Sequence, residues 1–467
     1  MTEHSTTKHD LTVTAAGIAG AERLTTGVIW AYSMPRIGFG IMSVLFTTYL
    51  MKFSTDVLLI APAAMGALIA ASRLWDGVTD PVAGYWSDRT RSRFGRRRFW
   101  MFISAVPMSL GMFMIWSPPS ALEGLILIGW MALALFIYET ASTAFWVPHG
   151  ALGVELTPNY HERTRLYGYS HMIGAIGSLM GLVSLYLMVS GEDKRTWAII
   201  LSAISAVLIC VLVLGSTWLL PERGDFQDRG AKNPFKSFAD VFRNPHARLL
   251  LVVYGIETFG AASIGLIVPY IVSYVIPADS LPVDSSVFFV SVLVVYFVPQ
   301  IAFAPLWIKL STITGKKPLW ATSMWLSAFV FVGYFFALEQ PILIWILSFI
   351  LGTAGGIGAV VAPAIKADII DYDEYLTGER KEGTYYAVWN MVRKGAGSLT
   401  AIVTGFVLQA VGFEPNVEQS ESTKLALRTL FALLPAAGYF FGAMIFMRFN
   451  FNEKEHTKIR QILASRT

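Results

Sequence analysis

The chain has 467 residues, 54% of them hydrophobic and only 15% charged, with a net charge of +4 and a mean hydropathy of +0.54. Soluble proteins carry roughly 25% charged residues, so this composition excludes an ordinary soluble domain and indicates a chain that crosses a membrane repeatedly. The single cysteine, Cys210, excludes an intramolecular disulfide and a cysteine-based metal cluster.

Residues 1–24 are polar and read as a cytoplasmic tail with no cleavable signal, because the first apolar run is long enough to stay in the membrane. Apolar runs of about 20 residues then predict twelve spans, near 26–52, 59–87, 98–117, 122–156, 163–190, 196–220, 246–276, 286–310, 317–338, 341–371, 383–411 and 425–449. Pro148 and Pro363 predict bends in the fourth and tenth spans. Gly352, Gly355, Gly356 and Gly358 line the tenth and favour close helix packing.

The loops set the orientation. Basic clusters follow every second span: the run from Arg89 to Arg98; Arg163 and Arg165; Arg223, Arg229, Lys232, Lys236 and Arg243; Lys309, Lys316 and Lys317; then Arg380 and Lys381. The opposite loops hold mostly acids, Glu123, Asp279, Asp284, Glu339, Glu414, Glu418 and Glu421. The positive-inside bias therefore places both termini in the cytoplasm. The polar stretch 221–245 separates two bundles of six spans, 25–220 and 246–449, and 450–467 forms a cytoplasmic tail whose part from Glu453 reads as a short helix on the membrane surface. The halves echo each other: Gly84-Tyr-Trp86 leads to Gly95-Arg-Arg-Arg in the first, and Pro305-Leu-Trp307 to Gly315-Lys-Lys-Pro in the second. The expected class is an all-α membrane protein with two six-helix repeats, the plan of a major facilitator transporter.

Within the spans, Arg36, Arg73, Asp76, Asp80, Glu139, Glu257 and Lys394 stand away from helix ends. Asp76 and Asp80 are four residues apart with Thr79 between them, so three oxygens share one helical face. One carboxylate at bilayer depth costs at least about 2.5–3.5 kcal/mol, and two also repel, so a cation or proton is expected at the pair. A structural ion pair with Arg73 or Lys394 is the competing reading, but three basic chains exceed what one pair needs. Glu139, Glu257 and Arg36 are read as a proton relay, or, for Glu139 and Arg36, as partners of each other. His149 and His171 read as buried neutral histidines with one hydrogen bond. Trp146, Trp389 and Tyr385 are pocket candidates, since their helices carry these polar groups. The arginine run lies in a short loop between spans, which favours topology and gating over nucleic-acid binding. No G-x-x-x-x-G-K-[ST] loop, H-E-x-x-H helix or G-x-S-x-G elbow is present, so ATP-driven transport and membrane hydrolysis lack support and no enzyme is expected.

Arg73-Leu-Trp-Asp76-x-x-x-Asp80-Pro81 followed by Thr90-Arg-Ser-Arg-Phe-Gly95-Arg-Arg-Arg resembles the melibiose permease-like family of glycoside–pentoside–hexuronide:cation symporters. Ala367-Asp368-Ile-Ile-Asp371-Tyr372, Thr377-Gly378, Glu382-Gly383-Thr384 and Lys394 agree in the second half. The resemblance implies that Asp76, Asp80, Thr79 and Thr143 bind the coupling cation and that Lys394 stands beside them. Thr79 occupies a place where sodium users of the family often have asparagine, a better hard-cation ligand, which gives weight to proton coupling beside sodium. The family's sugar-holding carboxylates align with Gly40 and Trp146, its arginine with His171, and a pocket threonine with Asn390. The implied substrate set is thus Trp146, Asn390, Lys394, Trp389, His171 and Arg73. Asp88, Arg96, Arg97, Arg98 and Glu155 are expected to gate the cytoplasmic side by salt bridges.

Together these readings predict a monomeric symporter of the bacterial inner membrane, working by alternating access among membrane lipids. It would couple uptake of a small solute, a sugar or glycoside, to sodium or proton entry, with no cofactor, no metal beyond a coupling sodium and no nucleic-acid partner. A transporter of lysolipids or other amphiphiles, and a nutrient sensor on a transporter scaffold, are the rival readings.

Overall fold

The computed structural model describes residues 23–157, 160–222, 241–378, 382–451 and 453–464, and every regular element among them is a helix. Most of the tail 1–24 and of the stretch 221–245, together with Arg380, Lys381 and the side chains of Asp88 and Arg163, fall outside the described residues.

The first predicted span is three consecutive pieces, α1 (Thr26–Ser33), α2 (Pro35–Thr48) and α3 (Leu50–Asp56). Pro35 cannot donate to the preceding turn, so it opens α2 rather than continuing α1. Then come α4 (Pro62–Arg89), α5 (Arg96–Trp116), α6 (Gly124–Glu155), α7 (Tyr160–Ser190) and α8 (Lys194–Leu219). The second half holds α9 (Pro245–Tyr270), α10 (Ser285–Ala302), α11 (Ala304–Thr314), α12 (Lys316–Ala337), α13 (Pro341–Thr377) and α14 (Glu382–Ala410). It continues through α15 (Glu421–Arg428) and α16 (Leu434–Phe446), then α17 (Glu453–Ala464). Polar side chains cap several starts: Asp193 accepts from the amides of Arg195 and Thr196, and Asn244 from those of His246 and Ala247.

Among the described residues, ten helical stretches are long and apolar enough to cross a membrane. α4 and α14, of 28 and 29 residues, are not among them. They are the helices that carry Arg73, Asp76, Asp80 and Lys394, and they pack along each other as the main seam between the two parts of the chain. At the Pro62 end this seam is backbone against backbone. A Cβ on Gly66 would lie 2.5 Å from the Ala401 carbonyl, and one on Gly405 would lie 2.5 Å from that of Pro62.

Beside that end sits a second join. Lys52 and Asp56 form a buried ion pair one turn apart. Residues from the end of α9 onward close over it: Tyr274 donates to Asp56, the Tyr270 and Thr55 hydroxyls meet at 2.7 Å, and Asn416 donates to the Asp56 carbonyl at 2.7 Å. The Lys52 ammonium lies 4.2 Å from the centre of the Tyr274 ring.

The repeat seen in the sequence has a backbone counterpart. Gly95 and Gly315 precede α5 and α12 with φ, ψ of 95°, 156° and 85°, 157°, a region open to glycine. Each is followed by a cation held by an acid: Arg96 pairs with Glu155 at 2.8 Å and Lys316 with Asp368 at 2.6 Å. The terminal helix α17 packs on α13, with Ile459 buried and His456 3.0 Å from Asp371, so it is docked on the protein.

Candidate functional site

Helical periodicity puts Asp76 and Asp80 one turn apart on α4, facing α6 and α14. Thr143 of α6 stands between them, 3.0 Å from Asp80 Oδ1 and 3.3 Å from Asp76 Oδ1. Thr79 donates to Thr143 Oγ1 at 3.4 Å, which leaves the Thr143 hydroxyl proton for a carboxylate. From the other side comes Lys394 of α14, its ammonium 2.6 Å from Asp80 Oδ2 and 3.2 Å from Asp76 Oδ2. Glu139 completes the cluster beside Asp76 and Arg73. Gly397 leaves room for Arg73, because a Cβ there would come 3.1 Å from its guanidinium.

Glu139 lies beside Arg73, which has Arg393 as a further cationic neighbour. Asp76 and Asp80 share the single ammonium of Lys394, so with these three ionised one negative charge remains at the pair. A site of that charge in low dielectric takes up one monovalent cation or one proton. The Lys394 ammonium already lies on the oxygens that such an ion would use.

Two adjoining cavities share Thr47 and Gln300 as walls, and the larger reaches the cluster at Arg73. The larger, about 510 Å³, is lined by Arg73, Tyr254, Glu257, Tyr296 and Arg393 among others. The smaller, about 420 Å³, is lined by Arg36, Phe39, Trp146, His171 and Ser178 among others.

The remaining sequence candidates distribute as follows. Trp146 and His171 face the smaller cavity, Arg73 the larger. Trp389 is buried in the second half, its ring 5.4 Å from the Lys366 ammonium. Asn390 is exposed on α14 and does not line either of these cavities. The predicted relay is not assembled: Glu139 joins Asp76 and Arg73, Glu257 has Lys366 as its charged neighbour, and Arg36 stacks on Trp146 at 5.3 Å. Arg36 and Glu139 are not partners, because α4 brings Arg73 closer to the glutamate. His149 is buried and bonds once, from Nε2 to the Tyr32 carbonyl at 2.9 Å, whereas His171 is exposed to the cavity. Gly40 cannot carry a side chain, since a Cβ there would meet the Gly174 carbonyl at 2.6 Å.

The arginines expected to gate lie inside the first half. Arg96 and Arg97 share Glu155, Glu222 accepts from the amides of Arg96, Arg97 and Arg98, and the Arg98 side chain donates to the carbonyls of Thr217 and Trp218. These bonds staple α5 to α6 and α8. Sequence reasoning missed Arg393 and Lys366, each hidden by a neighbour of greater motif value, and the Lys52–Asp56 pair, which looked like the end of a span.

The sequence pattern of the family described as MFS/sugar transport protein matches residues 31–453. The chain belongs to that family. It is a membrane transporter of the major facilitator kind, not an enzyme. Among relatives of this family, a protein named putative sulfoquinovose importer from Escherichia coli (strain K12) is 26% identical over 422 residues, covering 87% of this chain and 86% of that one. A sodium-dependent lysophosphatidylcholine symporter 1-A from Danio rerio is 24% identical over 459 residues, covering 87% and 82%. Among solved structures, the nucleoside transporter NupG superposes with a TM-score of 0.62 at 14% identity, over 91% of this chain and 99% of that one, which shows a shared fold.

Proposed function

We propose that this family member is a symporter that couples uptake of a sugar or glycoside to entry of one sodium ion or proton by alternating access. The observation that carries it is the cluster of Asp76, Asp80 and Thr143 bridged by Lys394 from α14, two carboxylates against one ammonium, seated on the seam between the halves. A cation entering there displaces the ammonium and frees α14 to move against α4, so ion and solute favour the same conformers.

In this reading α4 and α14 also span the bilayer, giving twelve helices in two bundles with both termini cytoplasmic, and the protein lies in a bacterial inner membrane. The basic loops then put the Lys52–Asp56 join on the outer side, and the described state is closed to the outside. Trp146, His171 and Arg73 line the solute path, and the protein needs no cofactor. A lysolipid or other amphiphile is the second reading for the cargo, favoured by the Danio rerio relative named for one.

The test is flux in proteoliposomes with a panel of sugars and lysolipids, under separately imposed sodium and proton gradients, for wild type, Asp76→Asn and Asp80→Asn. Wild type is expected to concentrate a solute under one of the gradients and both variants to lose that accumulation. Accumulation retained when both substitutions are combined, Asp76→Asn with Asp80→Asn, refutes the proposal.

A further inference from the structure

The smaller cavity contains a cation with no counter-charge. Arg36 lines it, and its guanidinium lies 5.3 Å from the Trp146 ring centre. Arg36 Nε is buried without a hydrogen-bond partner, and among the described residues Arg36 forms no ion pair. Among the described residues no acid lines this cavity; its other polar walls are His171, Ser43, Thr47, Thr48, Ser178 and Gln300. The adjoining cavity adds Arg73 and Arg393 against Glu257 alone. The joint wall therefore carries three guanidiniums and one carboxylate.

A guanidinium in low dielectric is costly unless an anion meets it, and its fork of donors matches an oxyanion in shape. The cation–π contact with Trp146, 5.3 Å to the ring centre, leaves Nε–H unspent. The nearest acids are committed elsewhere, Glu139 to Arg73 and Asp76, and Glu257 to Lys366. We propose that the cavity binds a solute bearing an oxyanion (carboxylate, sulfonate or phosphate) on Arg36, with the body of the solute lying against Trp146. This rests on the transporter reading for its setting and adds the charge class of the cargo. An oxyanion of this kind could belong to an acidic sugar or to the headgroup of a lysolipid, and the two are separable.

Binding is measured by calorimetric titration of the purified full chain with matched pairs: glucuronate against glucose, and a lysophosphatidate against its monoacylglycerol. In one pair the anion is expected to bind at least tenfold more tightly, and the pair that shows it identifies the source. Arg36→Gln is expected to abolish that preference and Arg36→Lys to keep part of it, since lysine retains the charge without the fork. Arg36 makes no hydrogen bond, so the glutamine variant should melt close to wild type; if it fails to fold, the wild-type comparison decides alone. A preference below threefold in both pairs, absence of binding included, overturns the proposal, as does a preference that survives Arg36→Gln. No gradient is involved. An anion preference without cation-driven uptake sinks the symport reading and spares this one, and cation-driven uptake of a neutral solute without the preference does the reverse.

Discussion

Replacing Lys394 by glutamine removes the ammonium that lies 2.6 Å from Asp80 and 3.2 Å from Asp76. A coupling cation on the same oxygens would sit about 4 Å from that ammonium, where two unit charges repel by roughly 4 kcal/mol at an effective dielectric of about 20. The Asp80 side chain is 37% exposed, so water screens much of this. Taking about a third to a half gives roughly 1.4–2 kcal/mol, or about 10- to 30-fold. Lys394→Gln is therefore expected to lower the cation concentration at half-saturation by that factor, read by thermal-shift titration of the purified protein. Uphill transport should fall at the same time, because the emptied site keeps two acids without their bridging cation and resists returning through the bilayer. Weaker or unchanged cation binding would show that the lysine supports the site instead of competing for it, and the charge argument would fail.

Three further substitutions separate ion binding from architecture. Thr143→Val removes a hydroxyl shared by both carboxylates and is expected to weaken cation affinity about tenfold, the worth of one bond to a charged group, in the same titration; equal affinity would exclude Thr143 from the site. Asp56→Ala strands a buried ammonium and should cost about 3–5 kcal/mol, whereas Lys52→Met with Asp56→Leu should melt nearer to wild type. A double variant less stable than the single one would contradict this account of the join. Glu155→Gln removes the acid that Arg96 and Arg97 share, while Arg96 keeps Glu222 at 3.9 Å, and should destabilise by about 1–3 kcal/mol with transport per folded molecule preserved; a stable variant with altered transport would support a gating role for these arginines.

The acid pair was legible because its geometry is local. A spacing of four on a helix fixes a common face whatever the rest of the chain does, and so does the apolar run that makes the charges conspicuous. Lys394 was legible as a neighbour of the acid pair through the family resemblance, but not as a bridge to both carboxylates, since 314 residues separate it from Asp80 and only the packing of α14 on α4 unites them. The same limit explains the misread partners. Arg36 and Glu139 are both charges inside spans and invite pairing, yet the turn of α4 that presents Arg73 settles the glutamate elsewhere and leaves Arg36 to Trp146.

Composition and periodicity alone thus determined a helical membrane chain with acids on one face of α4, because burial in lipid forces backbone bonds inward and makes each charge stand out. Only the tertiary structure decided which cation meets which acid, that the Lys52–Asp56 pair is sealed by Tyr270, Tyr274 and Asn416, and that one cavity retains an unmatched guanidinium. Those facts depend on contacts between residues far apart in sequence, and short-range spacing carries no information about them.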